Sequence, residues 1–470
     1  MSQRSFAFTP TALRSLEQDR DLLERRRYQR QLVDPVLSSY LLRKEAREKT
    51  RLFKQTRPEP TSPMVCRDLV VQNALYTGNV EAVKEFFPKG SSASLVIQPE
   101  GGAMRWVSDG KVRGLWSLTY EQELTTPLHI TAGRGFTDCL RHLLLRGANV
   151  DFAPGGTTAL HEACEECQPE CVKLLLEYGA NANAVNEDGL MPLHVCTELN
   201  SLECAKYLIQ FGAAVNGRSL DENDTPLHVA ARHGLSAHVD LYLRHGAALE
   251  RQNDDGLTPL NSACSQPQEL AALERYRQVC QQLVDAGADV QTGDADKQTP
   301  LHMACKNANP DVVDLLLQRG AFVNTMDYGG EAPMHNILKI VAYKIEHQPE
   351  RIVKALLNYG SIRVWPGALA KVLRYCCKSP RTIEVLLNAY DRIKVTDEWV
   401  EAVSPEVFQK HREFYESVFA LAHTPRSLQH LARYQLRTYL DNRMPKVVPR
   451  LGLPTFLKDY LMLEFRGYVH

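Results

Sequence analysis

Residues 225–249 read TPLHVAARHGLSAHVDLYLRHGAAL, and this stretch contains the unit from which most of the chain is built. Its opening tetrapeptide, Thr225-Pro226-Leu227-His228, recurs along the sequence with few changes. Seven copies begin at residues 126, 158, 191, 225, 258, 299 and 332, so the spacings are 32, 33, 34, 33, 41 and 33 residues. A nearly fixed period of this length indicates an architecture of stacked repeats.

The chemistry of the unit predicts two helices joined by a short turn. Proline at the second motif position suits the first turn of a helix, where its missing N–H costs nothing. The threonine before it can cap that turn through its hydroxyl. The second helix ends at a pair such as Gly246-Ala247, because glycine readily adopts the left-handed conformation that closes helices. Apolar runs such as Leu315-Leu316-Leu317 cannot be buried by one unit, so neighbouring units must stack.

Motif and period together resemble the ankyrin repeat, a β-turn followed by two antiparallel helices. The resemblance implies an all-α solenoid with β-turn fingers, and it assigns seven repeats to residues 124–362. Residues 64–123 are predicted to hold a degenerate leading repeat, around 68–88, and an insertion. Residues 363–423 are predicted to form degenerate trailing helices that lack the turn motif.

The last 47 residues, 424–470, depart from the 33-residue period. A helix is predicted to begin near Ser427, with its apolar residues on one stripe. The segment Leu451-Gly452-Leu453-Pro454 follows, and a second apolar helix comes after it. This arrangement resembles the SOCS box, a C-terminal module that recruits a ubiquitin-ligase core.

The SOCS box resemblance implies two sets of contact residues. The first half of the module binds elongin C, and a small Ala432 stands here where the module usually has cysteine. The implied elongin C contacts are Ser427, Leu428, Leu431, Ala432 and Leu436. The second half selects a cullin, typically cullin-5 with its RING subunit, and Gly452 replaces the usual first proline of that motif. The implied cullin contacts are Leu451, Leu453, Pro454, Leu457 and Tyr460.

An ankyrin array followed by a SOCS box resembles the ankyrin repeat and SOCS box family. This implies a substrate-recognition adaptor of an elongin B/C–cullin-5 RING ubiquitin ligase, which promotes ubiquitination and proteasomal degradation of its target. The alternative is an ankyrin scaffold without a ubiquitin role, whose tail only caps the array. Deleting 424–470 is expected to lower the melting temperature of a capped scaffold and to leave that of a recruiting adaptor nearly unchanged.

The net charge of the chain is informative only when it is counted separately for each region. The 55 Lys+Arg and 56 Asp+Glu residues give a net charge of −1, which argues against a nucleic-acid partner. Residues 1–60 carry +6, residues 161–340 carry −14 and residues 424–470 carry +5. The acidic part coincides with the repeats, which predicts a target with a basic surface. The predicted target contacts at the finger tips are Glu187, Asp188, Asp221, Glu222, Asp254, Asp255, Asp327 and Tyr328.

The N-terminal region and the cysteines give an expectation for where in the cell the protein is located. Residues 1–63 are predicted to form a basic helix and a proline-containing linker. An apolar leader and a membrane-length apolar run are both missing from the sequence, so no membrane association is predicted. The 12 cysteines are therefore expected to be reduced thiols in the cytoplasm, with the nucleus as the alternative.

Two further residue patterns raise the question of an active or metal site. Cys164, Cys167 and Cys171 have the spacing of a zinc cluster. Cys164 and Cys171, however, recur at fixed positions of other repeats, which favours core positions over metal ligands. The six motif histidines also recur with the repeat, which favours a structural hydrogen bond between loops and helices. Since the motifs of common catalytic sites are missing as well, we predict no catalytic residues, no metal and no cofactor.

Overall fold

A computed structural model describes residues 65–66, 68–88, 96–97, 105–108, 116–119 and 125–464. The basic helix and linker predicted at 1–63 lie outside these described residues. From Val65 onward the chain forms one compact unit. Within the described ranges, no helix combines the length and apolarity that a membrane crossing requires.

Most described residues belong to helices, and short strands occur only near the start of the array. The strands are β1 (Val65–Cys66), β2 (Val96–Ile97), β3 (Arg105–Ser108) and β4 (Trp116–Thr119). The helices of the repeats are α1 (Leu69–Thr77), α2 (Val80–Phe86), α3 (Pro127–Gly133), α4 (Thr137–Leu145), α5 (Ala159–Glu165), α6 (Pro169–Glu177), α7 (Leu202–Gln210), α8 (Pro226–Arg232), α9 (Ser236–Arg244), α10 (Pro259–Ser265), α11 (Leu273–Asp285), α12 (Pro300–Lys306), α13 (Pro310–Gln318), α14 (Pro333–Ile340) and α15 (Pro349–Asn358).

The helices beyond the motif-bearing repeats fall into a trailing group and a C-terminal group. The trailing group is α16 (Leu369–Cys376), α17 (Pro380–Leu387), α18 (Asp397–Glu401), α19 (Pro405–Lys410) and α20 (Arg412–Ala420). The C-terminal group is α21 (Leu428–Leu440), α22 (Met444–Val447) and α23 (Thr455–Leu461). A short 3-10 segment, Pro366–Ala368, precedes α16, and two others, Asp441–Arg443 and Val448–Arg450, join the C-terminal helices.

The helix pairs stack in register, which confirms the predicted ankyrin solenoid. First helices pack on neighbouring first helices, as α8 does on α10 and α12 on α14, while second helices form a parallel row. The eroded leading segment is the pair α1–α2, which packs on α3–α4 in the same manner. The trailing pair α16–α17 continues both rows without the turn motif. The insertion contributes β3 and β4, which pair antiparallel, with Trp106 opposite Leu118.

The third repeat differs from the predicted helix-turn-helix unit. Its motif, Met191 to His194, forms turns, and no α-helix precedes α7 in this repeat. Met191 replaces the usual threonine and offers no hydroxyl to cap a helix. Val195 and Thr197 add β-branched side chains, which lose rotamer freedom in a helix. Leu193 and His194 are still buried, and the Leu220 N–H donates to the Gly189 carbonyl, so side-chain and backbone contacts both maintain the stacking.

Five of the six motif histidines make the predicted structural hydrogen bonds, whereas His335 is exposed and only accepts from the Ala332 N–H within its own turn. In the fourth repeat, Nδ1 of His228 lies 2.8 Å from the Thr225 hydroxyl, and Nε2 lies 3.0 Å from the Leu257 carbonyl oxygen in the next finger. Because a carbonyl only accepts, Nε2 carries the proton and Nδ1 accepts from the hydroxyl. Four further histidines bond the next finger in the same way, namely His129, His161, His194 and His302. Asn261 substitutes through Nδ2, 3.1 Å from the Thr292 carbonyl oxygen.

These buried imidazoles should make the stability of the array depend on pH. Burial lowers the pKa of His129 and of His228 to about 4, whereas an unfolded histidine titrates near about 6.5. Between these values the unfolded chain binds more protons, so the free energy of unfolding should fall as the pH falls from about 6.5 to about 4. Urea unfolding followed by circular dichroism at pH 7.5, 6 and 5 measures this slope.

A matched pair of variants separates the histidine contribution from general acid destabilisation. His228→Asn keeps a donor to the next finger, as Asn261 does, so it should cost roughly 1 kcal/mol at pH 7.5. His228→Ala leaves the Leu257 carbonyl with only the Asn253 N–H as donor and removes a buried side chain, so it should cost about 2–3 kcal/mol. Both variants should flatten the slope between pH 6.5 and about 5, and an unchanged slope would contradict the assignment.

The cysteine positions agree with the core interpretation. Cys139, Cys171 and Cys204, which share one repeat position, are fully buried, and so are Cys164 and Cys305 on first helices. Burial raises the pKa of the Cys171 thiol to about 12, which keeps it protonated and unreactive. Cys167 lies half-buried in the α5–α6 turn. Among the described residues, no group of three His, Cys, Asp or Glu side chains is arranged to hold a metal ion.

Candidate functional site

The exposed side of α21 is apolar. The Ser427 side chain caps the helix by accepting from the His430 backbone N–H at 3.2 Å. This cap fixes where the helix, and with it the apolar face, begins. Leu428 is 85% exposed, Leu436 is 48% exposed, and Ala432 between them is also exposed. These positions are four residues apart and therefore share one face. Contiguous exposed apolar side chains on a helix are typical of a binding surface.

The opposite side of α21 is polar and buried. His430 is fully buried and Arg433 is 3% exposed, although imidazole and guanidinium groups are rarely placed in a core. Nε2 of His430 lies 2.6 Å from the Tyr390 carbonyl oxygen, and an Nη of Arg433 donates to the Asn388 carbonyl at 3.3 Å. A helix that only completes the array would place its apolar stripe inward. Here the apolar stripe points away from the array.

Arginines attach the C-terminal module to the array by capping helix ends. The Arg437 guanidinium donates to Oδ1 of Asn358 at 2.7 Å, to the Leu461 carbonyl at 2.6 Å and to the Leu357 carbonyl at 3.2 Å. Arg426 donates to the Leu387 carbonyl at 3.0 Å. The carbonyls of Leu357, Leu387 and Leu461 lie in the last turns of α15, α17 and α23, where helices lack internal donors. The charge of each arginine also complements the negative helix end.

Burial changes the electrostatics of these arginines without removing their charge. Burial lowers the pKa of the Arg437 guanidinium to about 9, and the neighbouring positive charges of Arg433 and Arg363 contribute to the shift. The pKa of Arg426 is lowered to about 10, again chiefly by burial. Both groups remain protonated near neutral pH. The carbonyl acceptors and helix dipoles therefore compensate for the desolvation of two positive charges.

The second half of the module has a small core of its own. Met444, Val448 and Leu461 form this core, with Leu440 and Leu453 packed against it. Of the predicted cullin contacts, Leu451 and Pro454 are exposed, while Leu453 and Leu457 are half-buried. A side chain added at Gly452 would meet nothing within 4 Å, so packing within the chain does not explain the glycine at this position.

Tyr460, the fifth predicted cullin contact, is packed inside the chain. It is 3% exposed, and the Arg433 guanidinium carbon lies 4.1 Å from its ring centroid. The ring therefore holds the buried arginine in place by a cation–π contact. The apolar spacing that identified Tyr460 also describes residues packed inward, and its role as a cullin contact stays a prediction. Phe456, which is 59% exposed one turn earlier, was missed by the sequence analysis.

The buried polar side of α21 was also missed. His430, Arg433 and Arg437 follow one another at helical spacing, so they share a face that the sequence could have revealed. Hydrophobic periodicity alone gave no reason to expect that this face is the buried one. Because these residues join the module to the array, deleting 424–470 would expose α15 and α17 in an adaptor as much as in a scaffold. That deletion no longer separates the two functions.

The finger tips form a continuous ribbon in which most predicted target contacts are exposed. Backbone hydrogen bonds join successive fingers: Leu220 N–H to Gly189 C=O at 2.9 Å, Asp254 N–H to Glu222 C=O at 3.0 Å, and Tyr328 N–H to Asp296 C=O at 2.9 Å. The exposed residues of the predicted set are Glu187, Asp188, Asp221, Glu222, Asp254, Asp255 and Tyr328. Asp327 is half-buried, because its Oδ1 accepts from the Glu331 N–H at 2.9 Å within its own turn.

Comparison with known proteins is consistent with these two parts of the chain. A family model described as "Ankyrin repeats (3 copies)" matches residues 71–186, 179–253, 239–327 and 268–363. The family model of the SOCS box matches residues 424–462. The matches include the stacked pairs from α1 to α15 and the three C-terminal helices.

Several proteins with both parts are similar to this chain. Ankyrin repeat and SOCS box protein 16 of Mus musculus is 39% identical over 477 residues, covering 100% of both chains. Ankyrin repeat and SOCS box protein 10 of Homo sapiens is 51% identical over 361 residues, covering 76% of this chain and 77% of its own. Ankyrin repeat and SOCS box protein 18 of Homo sapiens is 44% identical over 382 residues, covering 80% of this chain and 82% of its own.

Proposed function

Because the chain belongs to the ankyrin repeat and SOCS box family, whose general role is that of a ubiquitin-ligase substrate adaptor, we propose that its exposed α21 face docks elongin C. Elongin B accompanies elongin C, and the second half of the module recruits cullin-5 with its RING subunit. The observation that carries the proposal is the orientation of α21: its apolar residues face solvent, while its arginines face the array. Co-purification of elongins B and C with the full chain tests it.

The chain contributes to catalysis only by proximity. The array holds the target, the module holds the ligase core, and a target lysine is brought near the charged conjugating enzyme. The arginine contacts at α15 and α17 support this division of roles, since they fix the module to the end of the array. Ubiquitination then directs the target to the proteasome. The proposed location is the cytoplasm, with the nucleus as the alternative.

The scaffold alternative remains distinguishable by its partners rather than by stability. A scaffold would use α21 only to cover the array, yet Leu428 and Leu436 cover none of it. The absence of elongins from the purified chain would favour the scaffold. Their presence, combined with ubiquitination of an array-bound protein, would favour the adaptor.

We also propose that the acidic finger tips hold a basic surface of the target. Asp188, Asp221 and Asp255 are exposed on successive fingers, so their charges add along the ribbon. Binding of the target to the full chain should therefore weaken steeply when salt rises from about 0.05 to about 0.5 M, because exposed charges are screened. Isothermal titration at several salt concentrations measures this dependence, and an affinity that does not change with salt would contradict the proposal.

A further inference from the structure

A cleft lies on the first helix of the last stacked pair, outside the acidic fingers. It has a volume of about 490 Å³ and is lined by Gly367, Ala370, Lys371, Arg374, Tyr375 and Glu398. The helix α16 continues the row of first helices, since it packs on α14 as α14 packs on α12. This row forms the inner surface that solenoid proteins use for binding. The cleft therefore lies on a surface suited to a partner.

An exposed tryptophan lies beside the cleft, next to its lining residue Gly367. Trp365 is 74% exposed, and its ring lies so close to Gly367 that a side chain at that position would displace it. Tyr375, 46% exposed, lies on α16. Large exposed aromatic side chains are costly to keep in water and are enriched at sites that bind proteins.

The charge of this region is opposite to that of the fingers. Residues 363–378 contain four basic side chains and no acidic one. Three of them, Lys371, Arg374 and Lys378, are exposed and spaced along one side of α16 and its C-terminal turn. No carboxylate of the described part of the chain lies within ion-pairing distance of their nitrogens. Uncompensated like charges at helical spacing repel one another, so an anionic partner would relieve the repulsion.

We propose that this cleft binds an acidic linear segment of the target protein that carries a large apolar side chain. The apolar side chain packs against Tyr375 in the cleft and Trp365 beside it, and the flanking carboxylates pair with Lys371 and Arg374. Glu398 in the same cleft accepts from backbone N–H groups of the segment. A nucleic-acid backbone offers no such N–H donors to Glu398. The inference rests on the proposed function, since it describes how the adaptor grips its target.

The two surfaces recognise different parts of a target. The finger tips carry exposed acidic side chains, which suit a basic surface, whereas the cleft contains Lys371 and Arg374, which suit an acidic segment. Binding at two linked sites raises the overall affinity through effective concentration. The cleft also adds specificity, because a target with only one of the two features would bind less tightly.

The test is a binding titration with synthetic peptides and the full chain. The probe is a fluorescein-labelled peptide of about ten residues, with four glutamates around a central leucine–phenylalanine pair. Anisotropy should show saturable binding, and replacing the glutamates by glutamines should weaken it by at least about tenfold. An unlabelled uridine homopolymer serves as the nucleic-acid competitor.

Variants of the chain assign the binding to the cleft. The double reversal Lys371→Glu with Arg374→Glu should weaken peptide binding by at least about tenfold, and Trp365→Ala should do the same. The matched control is Arg392→Glu with Lys394→Glu, two exposed residues that do not line the cleft. It changes the net charge equally and should alter binding by less than about twofold.

The outcomes separate this inference from the proposed function. The cleft assignment would be overturned if the peptide showed no saturable binding, if the glutamine peptide bound equally well, or if the double reversal left binding unchanged. It would also be overturned if the uridine homopolymer displaced the labelled peptide at a lower concentration than the unlabelled peptide does. Elongin co-purification is measured on the same variants. Peptide binding without elongin capture would instead leave the cleft standing and reject the adaptor function.

Discussion

A chain carrying Leu428→Ala and Leu436→Ala should fail to retain elongins B and C. Both side chains lie on the exposed face of α21, so a partner would bury them on binding. Each buried leucine contributes about 1.5–3 kcal/mol, and the pair would contribute about 3–6 kcal/mol. That loss corresponds to roughly two to four orders of magnitude in Kd. Affinity capture of the tagged chain, followed by quantification of bound elongins, measures it.

The stability of the chain should not change in this variant. Leu428 is 85% exposed and Leu436 is 48% exposed in the free protein, so truncation removes little packing, and helix α21 tolerates alanine. A matched control is Leu145→Ala with Leu199→Ala, two exposed leucines on the array, which should leave elongin capture intact. If the Leu428/Leu436 variant captured elongins as well as the unchanged chain does, the assignment of α21 as the docking face would be rejected.

The second large effect is expected at the opposite face of the same helix. Arg437→Ala should destabilise the junction between module and array by about 3–5 kcal/mol, because three charge-assisted hydrogen bonds are lost and two helix-end carbonyls are left without this donor. The last stacked pairs and the C-terminal helices should then open together. Hydrogen exchange of the amides in α15, α17 and α21 measures this local opening.

A conservative variant tests whether geometry or charge matters at this position. Arg437→Lys keeps the positive charge but cannot reach Asn358, Leu357 and Leu461 at once, because an ammonium lacks the planar fork. It should recover less than half of the lost stability. Neither variant removes Leu428 or Leu436, so elongin capture should persist. If Arg437→Ala left hydrogen exchange at α15 unchanged, the capping interpretation would be rejected.

These two variants have opposite effects, which reflects the two sides of α21. Changing the apolar face should abolish partner binding and preserve stability, whereas changing the polar face should lower stability and preserve partner binding. A helix that only capped the array could not show the first pattern. The pair of experiments therefore replaces the deletion of 424–470, whose melting behaviour is the same for both functions.

Much of the fold could be predicted because each repeat carries the same local sequence signals. The Thr-Pro-Leu-His motif sets the cap, the first turn and the loop hydrogen bond in each unit, as at Thr225 and His228. Self-similar units can bury their apolar sides only against one another, so local chemistry implies the global stack. The turn at Met191 was not predicted, because seven aligned copies of the motif implied seven first helices; Ala332 also lacks a hydroxyl, yet α14 follows it.

The sequence could not decide which way the SOCS box helix faces. By itself it determined an apolar stripe through Leu428 and Leu436 and a polar stripe through His430, Arg433 and Arg437, since both follow from helical spacing. The tertiary structure turned the polar stripe inward, against the carboxyl ends of α15, α17 and α23. Those ends present carbonyl groups without internal donors, and they come together only after the array has stacked. Arginine satisfies them, and the leucines are left for a partner.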